Sequence, residues 1–137
     1  MVTVFRILLA GLMLPWAVQA AELTDTYKAC IEKGQTNREW ADCGGSELKL
    51  QDRFLNEAWA RVKKQFGGPD YVQALKALRA EQVAWLKWRD TTCNYYLADF
   101  GREGAVLSYP SCRAGIIAER TSYLNQLADN MEEHHRY

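Results

Sequence analysis

Apolar positions along most of this chain recur every three or four residues, the period of a helix that turns one face inward. Leu48, Asp52, Leu55, Trp59, Val62 and Phe66 form one stripe. Tyr71, Leu75, Leu78, Gln82, Trp85 and Arg89 form a second, and Cys112, Ile116, Arg120, Tyr123, Leu127 and Met131 a third. No credible strand pattern interrupts them. Punctuation between the stripes sets the helix limits. Thr24 is the expected N-cap of a short first helix ending near Lys33, with Gly34 as its stop. A second helical stretch begins near Thr36 or Asn37 and ends at Phe66. Gly44-Gly45-Ser46 is a candidate break in it, with Ser46 capping the longer piece. Gly67-Gly68-Pro69-Asp70 turns the chain back, Asp70 serving as N-cap of a third helix that runs to about Ala98. A loop from Phe100 to Pro110 leads to a fourth helix starting near Ser111, and the polar tail over residues 130–137 is expected to fray. The pattern predicts an all-α antiparallel bundle of about four helices, two long central ones joined by the Gly-Gly-Pro-Asp turn, in one domain over residues 21–137.

The first twenty residues read as an address rather than as part of that bundle. Arg6 precedes an apolar run from Ile7 to Leu14, and Val18-Gln19-Ala20 supplies a small-residue cleavage signal. The run is far short of the ~20 residues that span a bilayer. Cleavage after Ala20 is expected, giving a periplasmic or secreted product. No cysteine follows the cleavage point directly, which argues against a lipid anchor.

Charge and cysteines narrow the class further. Seventeen basic and seventeen acidic side chains balance, and loss of Arg6 leaves sixteen against seventeen. That is neither the basic stripe of a nucleic-acid binder nor the polybasic helix of a membrane-surface protein. All four cysteines, Cys30, Cys43, Cys93 and Cys112, follow Ala20, and an even count in a small exported chain reads as two disulfides. Three pairings are possible. Cys30–Cys43 and Cys93–Cys112 is the expected one, because each pair brackets one connection between predicted helices. A zinc site would need closer spacing, such as CxxC or HxxxH, and the chain has neither.

Polar residues stand where the stripes should be apolar. Asp52, Gln82, Arg89 and Arg120 each occupy such a position, and an unpaired amide or charge there costs several kcal/mol, on the order of 2–7 for an amide. If the stripes converge, Asp52 accepts from both guanidiniums, with Gln82 and Asn56 completing the network and Asp90 or Glu119 neutralising the second charge. A structural ion network that sets helix register is the favoured reading over a ligand or catalytic site. Catalytic constellations are missing: His134 and His135 sit in the tail, neither HExxH nor a P-loop occurs, and no carboxylate pair stands out. The expectation is a non-enzyme without metal or cofactor. Trp88 lies off the second stripe and is expected to be half exposed, an interface anchor.

Several of these residues together resemble a known family. Cys43 and Glu47 precede Gln51-Asp52-Arg53-Phe54-Leu55-Asn56; then come Leu78, Gln82, Trp85, Arg89-Asp90 and Cys93; Cys112, Arg120 and Leu124 close the set. Over roughly Cys30 to Leu127 the chain is similar to the LprI-type lysozyme inhibitor N-terminal domain family of small exported bacterial proteins. The resemblance implies a helical, disulfide-bonded domain of the bacterial envelope and inhibition of lysozyme by direct binding. On that reading the loop after Phe100 is the candidate contact with a muramidase, through Phe100, Arg102, Glu103 and Tyr109 beside Trp88, with Arg102 approaching the enzyme's catalytic carboxylates. Two other readings stand beside it. One is an envelope interaction module with a different protein partner. The other is a binder of small ligands or peptidoglycan fragments using Asp52, Arg89 and Arg120, which requires a cleft reaching that cluster.

Overall fold

The computed structural model describes residues 22–136; the expected leader over residues 1–20 lies outside them. Among the described residues the chain is helical and strand-free. Helix α1 spans Asp25–Lys33, α2 Asn37–Gln65, α3 Val72–Thr91, α4 Tyr95–Ala98, α5 Gly101–Glu103 and α6 Tyr109–His134. A 3₁₀ turn at Pro69–Tyr71 precedes α3, and one turn of π-helix at Gly104–Ser108 precedes α6. Both disulfides form in the expected pairing, with Cα–Cα separations of 5.8 Å for Cys30–Cys43 and 6.0 Å for Cys93–Cys112.

Local chemistry explains where the helices start and stop. The Thr24 hydroxyl accepts the Tyr27 N–H at the start of α1. Gly34 is the C-cap of α1, and a Cβ there would lie 2.6 Å from the Trp40 ring. Thr36 and Glu39 form a reciprocal capping box at the start of α2. Backbone N–H groups of Gln35 and Thr36, with the Thr36 hydroxyl, hold the Glu39 carboxyl below its ordinary pKa.

Several boundaries depart from expectation. Helix α2 passes through Gly44-Gly45-Ser46 without a break, because helix packing outweighs local propensity there. Asp70 lies inside the 3₁₀ turn; Tyr71 occupies the cap position of α3, without a side-chain bond. Helix α3 stops at Thr91 rather than near Ala98. The Thr91 and Thr92 hydroxyls both donate to the Trp88 carbonyl, and Cys93 adopts a left-handed φ of 73°, which no helix continues through. The expected loop from Phe100 is instead a run of short helical turns, and α6 begins two residues early at Tyr109 and continues through the polar tail to His134.

Consecutive long helices run antiparallel, so α2 and α6 are parallel, and they are the two longest. Their backbones share the most extensive close contact in the fold. Small residues permit it: Ala58 of α2 and Ala114, Ala118 and Ala128 of α6 are buried. Leu55, Val62, Phe66, Ile117 and Leu124 fill the core between them, and Leu48, Trp59, Leu75, Leu78, Trp85 and Leu127 pack around it. Each fully buried aliphatic contributes roughly 1.5–3 kcal/mol. Helix α3 contributes larger side chains and lies farther out.

Candidate functional site

Two polar clusters and one exposed aromatic cluster emerge from this packing. The first polar cluster holds the residues expected to converge, and it is a ladder rather than a single site. On α3, the Arg89 guanidinium donates to Asp52 of α2 at 3.2 Å and to its neighbour Asp90 at 3.0 and 3.2 Å. Arg113 of α6 approaches the same Asp90 oxygen at 3.6 Å. Arg120 of α6 does not reach Asp52. It donates to the Gln82 side-chain carbonyl at 3.0 Å and pairs with Glu81 at 2.7 Å. Both arginines approach the Trp85 ring, with guanidinium carbons 5.9 Å (Arg89) and 5.6 Å (Arg120) from its centroid. Arg120 also lies 4.8 Å over Tyr123, and its Nη2 has no hydrogen-bond partner among the described residues.

Burial divides this ladder unequally. Gln82 is buried and Arg120 nearly so, whereas Asp52 is half exposed and Asp90 exposed. Asn56 is exposed and takes no part, and Glu119 is not Arg120's partner. The single shared acid is therefore replaced by Asp52, Asp90 and Glu81, one on α2 and two on α3. Both pairings run through α3: its Arg89 reaches Asp52 of α2, and its Gln82 and Glu81 take Arg120 of α6. The principal clefts, about 210–460 Å³, are lined by other residues. The ladder ties α3 to its neighbours.

The second polar cluster is more deeply buried and joins residues that the sequence offers separately, Thr24 as an N-cap and Glu47 and Gln51 as motif positions. Glu47 is 3% exposed. Its carboxylate accepts from the Thr24 N–H at 3.0 Å, the Thr24 hydroxyl at 2.6 Å and the Gln51 amide at 2.8 Å. No cation lies within ion-pair distance among the described residues, so three donors alone stabilise it. Thr24 relays the contact, its oxygen accepting from Tyr27 N–H at 3.1 Å. Burial pushes the Tyr27 hydroxyl pKa up and the Glu47 charge adds to this, against a hydrogen bond with Ser111 that lowers it. Cys43, Glu47 and Gln51 at spacing i, i+4, i+8 were the available signal, one position off the stripe used to read α2. The arrangement anchors α1 onto α2, beside the Cys30–Cys43 bond and the Trp40 indole N–H, which donates to the Ile31 carbonyl at 3.2 Å.

The expected partner contacts fall into two groups. Phe100, Arg102 and Glu103 are exposed on the turns between α4 and the π-turn, and Trp88 is half exposed on α3, as expected. Tyr109 is partly buried within α6, with the Arg113 guanidinium 5.7 Å from its ring. Sequence reasoning missed Tyr95, Leu97 and Tyr96. Tyr96 stacks on Tyr95 at 4.3 Å and meets Phe100 edge-on at 5.1 Å. Reading this stretch as the end of α3 hid the cluster. Among the described residues no group of three or more His, Cys, Asp or Glu could hold a metal ion, and no helix is long and apolar enough to cross a membrane.

The chain is similar to a described protein family. A protein-family profile described as "Lysozyme inhibitor LprI" matches residues 28–124, from α1 well into α6. An uncharacterized protein of Rhizobium meliloti (strain 1021) is 29% identical over 102 residues, covering 66% of this chain and 72% of that protein. No solved structure matches the chain.

Proposed function

The chain belongs to the lysozyme inhibitor LprI family, and from that premise we propose that it is an exported envelope protein that binds a lysozyme-type muramidase directly and blocks it. The observation that carries this reading is the extent of the family match. Residues 28–124 include all four half-cystines, Glu47 and Gln51, the Arg89–Arg120 cluster and the exposed turns after α3. Export accords with the leader pattern of residues 1–20, and two disulfides suit an oxidising compartment. Inhibition by a folded partner requires a rigid surface that excludes substrate, without any proton-transfer machinery of its own.

Titration of the oxidised protein into muramidase assays with chicken-type, goose-type and invertebrate-type lysozymes tests the reading. Saturable inhibition of at least one class is expected, with loss of activity complete near stoichiometric binding. Full activity in every class, with both disulfides intact, would overturn it and leave an interaction module with another envelope protein, to be sought by crosslinking.

A further inference from the structure

Resting on that reading, we propose that the inhibitory element is the disulfide-closed segment from Cys93 to Cys112, and that Tyr95, Leu97, Phe100 and Arg102 form the surface that enters the muramidase cleft. Exposed large apolar side chains elsewhere in the fold are scattered singly, as on any soluble protein. Here three of them, 57%, 51% and 55% exposed at Tyr95, Leu97 and Phe100, fall within six residues. Such concentration marks an interaction surface. The main bundle leaves it uncovered: α4 and α5 pack chiefly on the π-turn and on each other.

The surface is also held in one shape, which limits the entropy lost on binding. Tyr95 and Phe100 both pack on Tyr96, at 4.3 and 5.1 Å, and lie 6.1 Å from each other. A hydrogen bond to Tyr96 raises the Tyr95 hydroxyl pKa. Gly104 closes the turn so tightly that a Cβ would sit 2.5 Å from the Tyr96 carbonyl oxygen and 2.3 Å from the Phe100 Cβ. Gly101 takes a left-handed φ of 60° that admits glycine readily. The Cys93–Cys112 bond pins both ends.

Charge identifies the occupant. Arg102 is exposed on turns that also carry the exposed Asp99 and Glu103, yet has no carboxylate within ion-pair distance among the described residues, unlike Arg89, Arg113 and Arg120. Muramidases are glycoside hydrolases, whose usual machinery is a pair of carboxyl groups flanking the scissile bond in a saccharide cleft. A free guanidinium complements that pair through charge-assisted, fork-shaped hydrogen bonds. The adjacent rings take the place of sugar rings, which present flat apolar faces to the cleft. Tyr109, partly buried and next to Arg113, and Trp88, back on α3, stand outside this surface.

The test uses the same oxidised chain and the lysozyme classes named above. Tyr95→Ala, Phe100→Ala and Arg102→Ala are compared with Val83→Ala, an exposed apolar control on α3. Inhibition competitive with substrate is expected for the wild type. Each of the three variants should raise the inhibition constant at least tenfold, and Val83→Ala less than twofold. Arg102→Glu, at an exposed position without a partner, keeps the result decisive if a ring variant loosens the turns. Wild-type inhibition that is non-competitive, or that survives Arg102→Glu and the ring variants, overturns this placement while leaving the inhibitor function standing. Absence of wild-type inhibition overturns both.

Discussion

Glu47 shows how much a single buried side chain holds in this protein. Its carboxylate gathers the N–H and the hydroxyl of Thr24, the residue that caps α1, and an amide from its own helix. Removing it leaves the buried Gln51 amide and the part-buried Thr24 donors without their acceptor. Glu47→Leu is expected to lower unfolding free energy by about 2–3 kcal/mol, the cost of unsatisfied buried polar groups. Urea denaturation with an unchanged slope would measure it. The Arg89–Asp52 pair should matter much less, since the acid is half exposed and such pairs are worth at most about 1 kcal/mol. The stripes ranked these residues in the opposite order. Asp52 stood on the apolar line and looked buried, while Glu47 stood one position off it. Residue type and spacing made the presence of polar packing legible, but burial depends on which neighbour covers a position, and that is a tertiary fact.

At the scale of the element, two adjacent glycines separate propensity from packing. Both lie inside α2, where either costs the helix about 1 kcal/mol relative to alanine. A Cβ on Gly44 would lie 2.6 Å from the Pro110 ring, whereas one on Gly45 meets nothing within 4 Å. Gly44→Ala is therefore expected to destabilise by about 1–3 kcal/mol through overpacking, and Gly45→Ala to stabilise by about 0.5–1 kcal/mol. Thermal unfolding of the two variants should shift in opposite directions. Reading the pair as a helix break was reasonable from composition alone. The turn at Gly67–Gly68 and the start of α2 at Thr36 were legible because their signals act within four residues. The end of α3 was not, because it depends on Cys93 being drawn into a left-handed conformation beside a disulfide whose other half lies 19 residues away.

The whole molecule is a three-helix core of α2, α3 and α6, with α1 fastened along α2 and a compact set of turns closing the chain between α3 and α6. The two disulfides fasten the two parts that the core does not. Cys93→Ser with Cys112→Ser is expected to cost roughly 3 kcal/mol by the loop-entropy estimate. Because the same bond shapes the exposed turns, the double variant should also lose inhibition at temperatures where α2, α3 and α6 remain helical. Circular dichroism read alongside the muramidase assay separates those two losses.

By itself, the sequence determined the helical class, the number of long helices, the disulfide partners expected from helix connections and the family resemblance. Each of these rests on short-range periodicity, on cysteine placement or on a motif spread along the chain. The tertiary structure alone decided that α2 and α6 form the close parallel pair. Alanines and a glycine mark that contact, and small residues carry little hydrophobic signal even where they let backbones meet. It also decided that the arginines are divided among three acids, and that the stretch after Cys93 folds into turns displaying Tyr95, Leu97 and Phe100. Those outcomes depend on which surfaces compete for the same neighbour, a competition that no window along the chain contains.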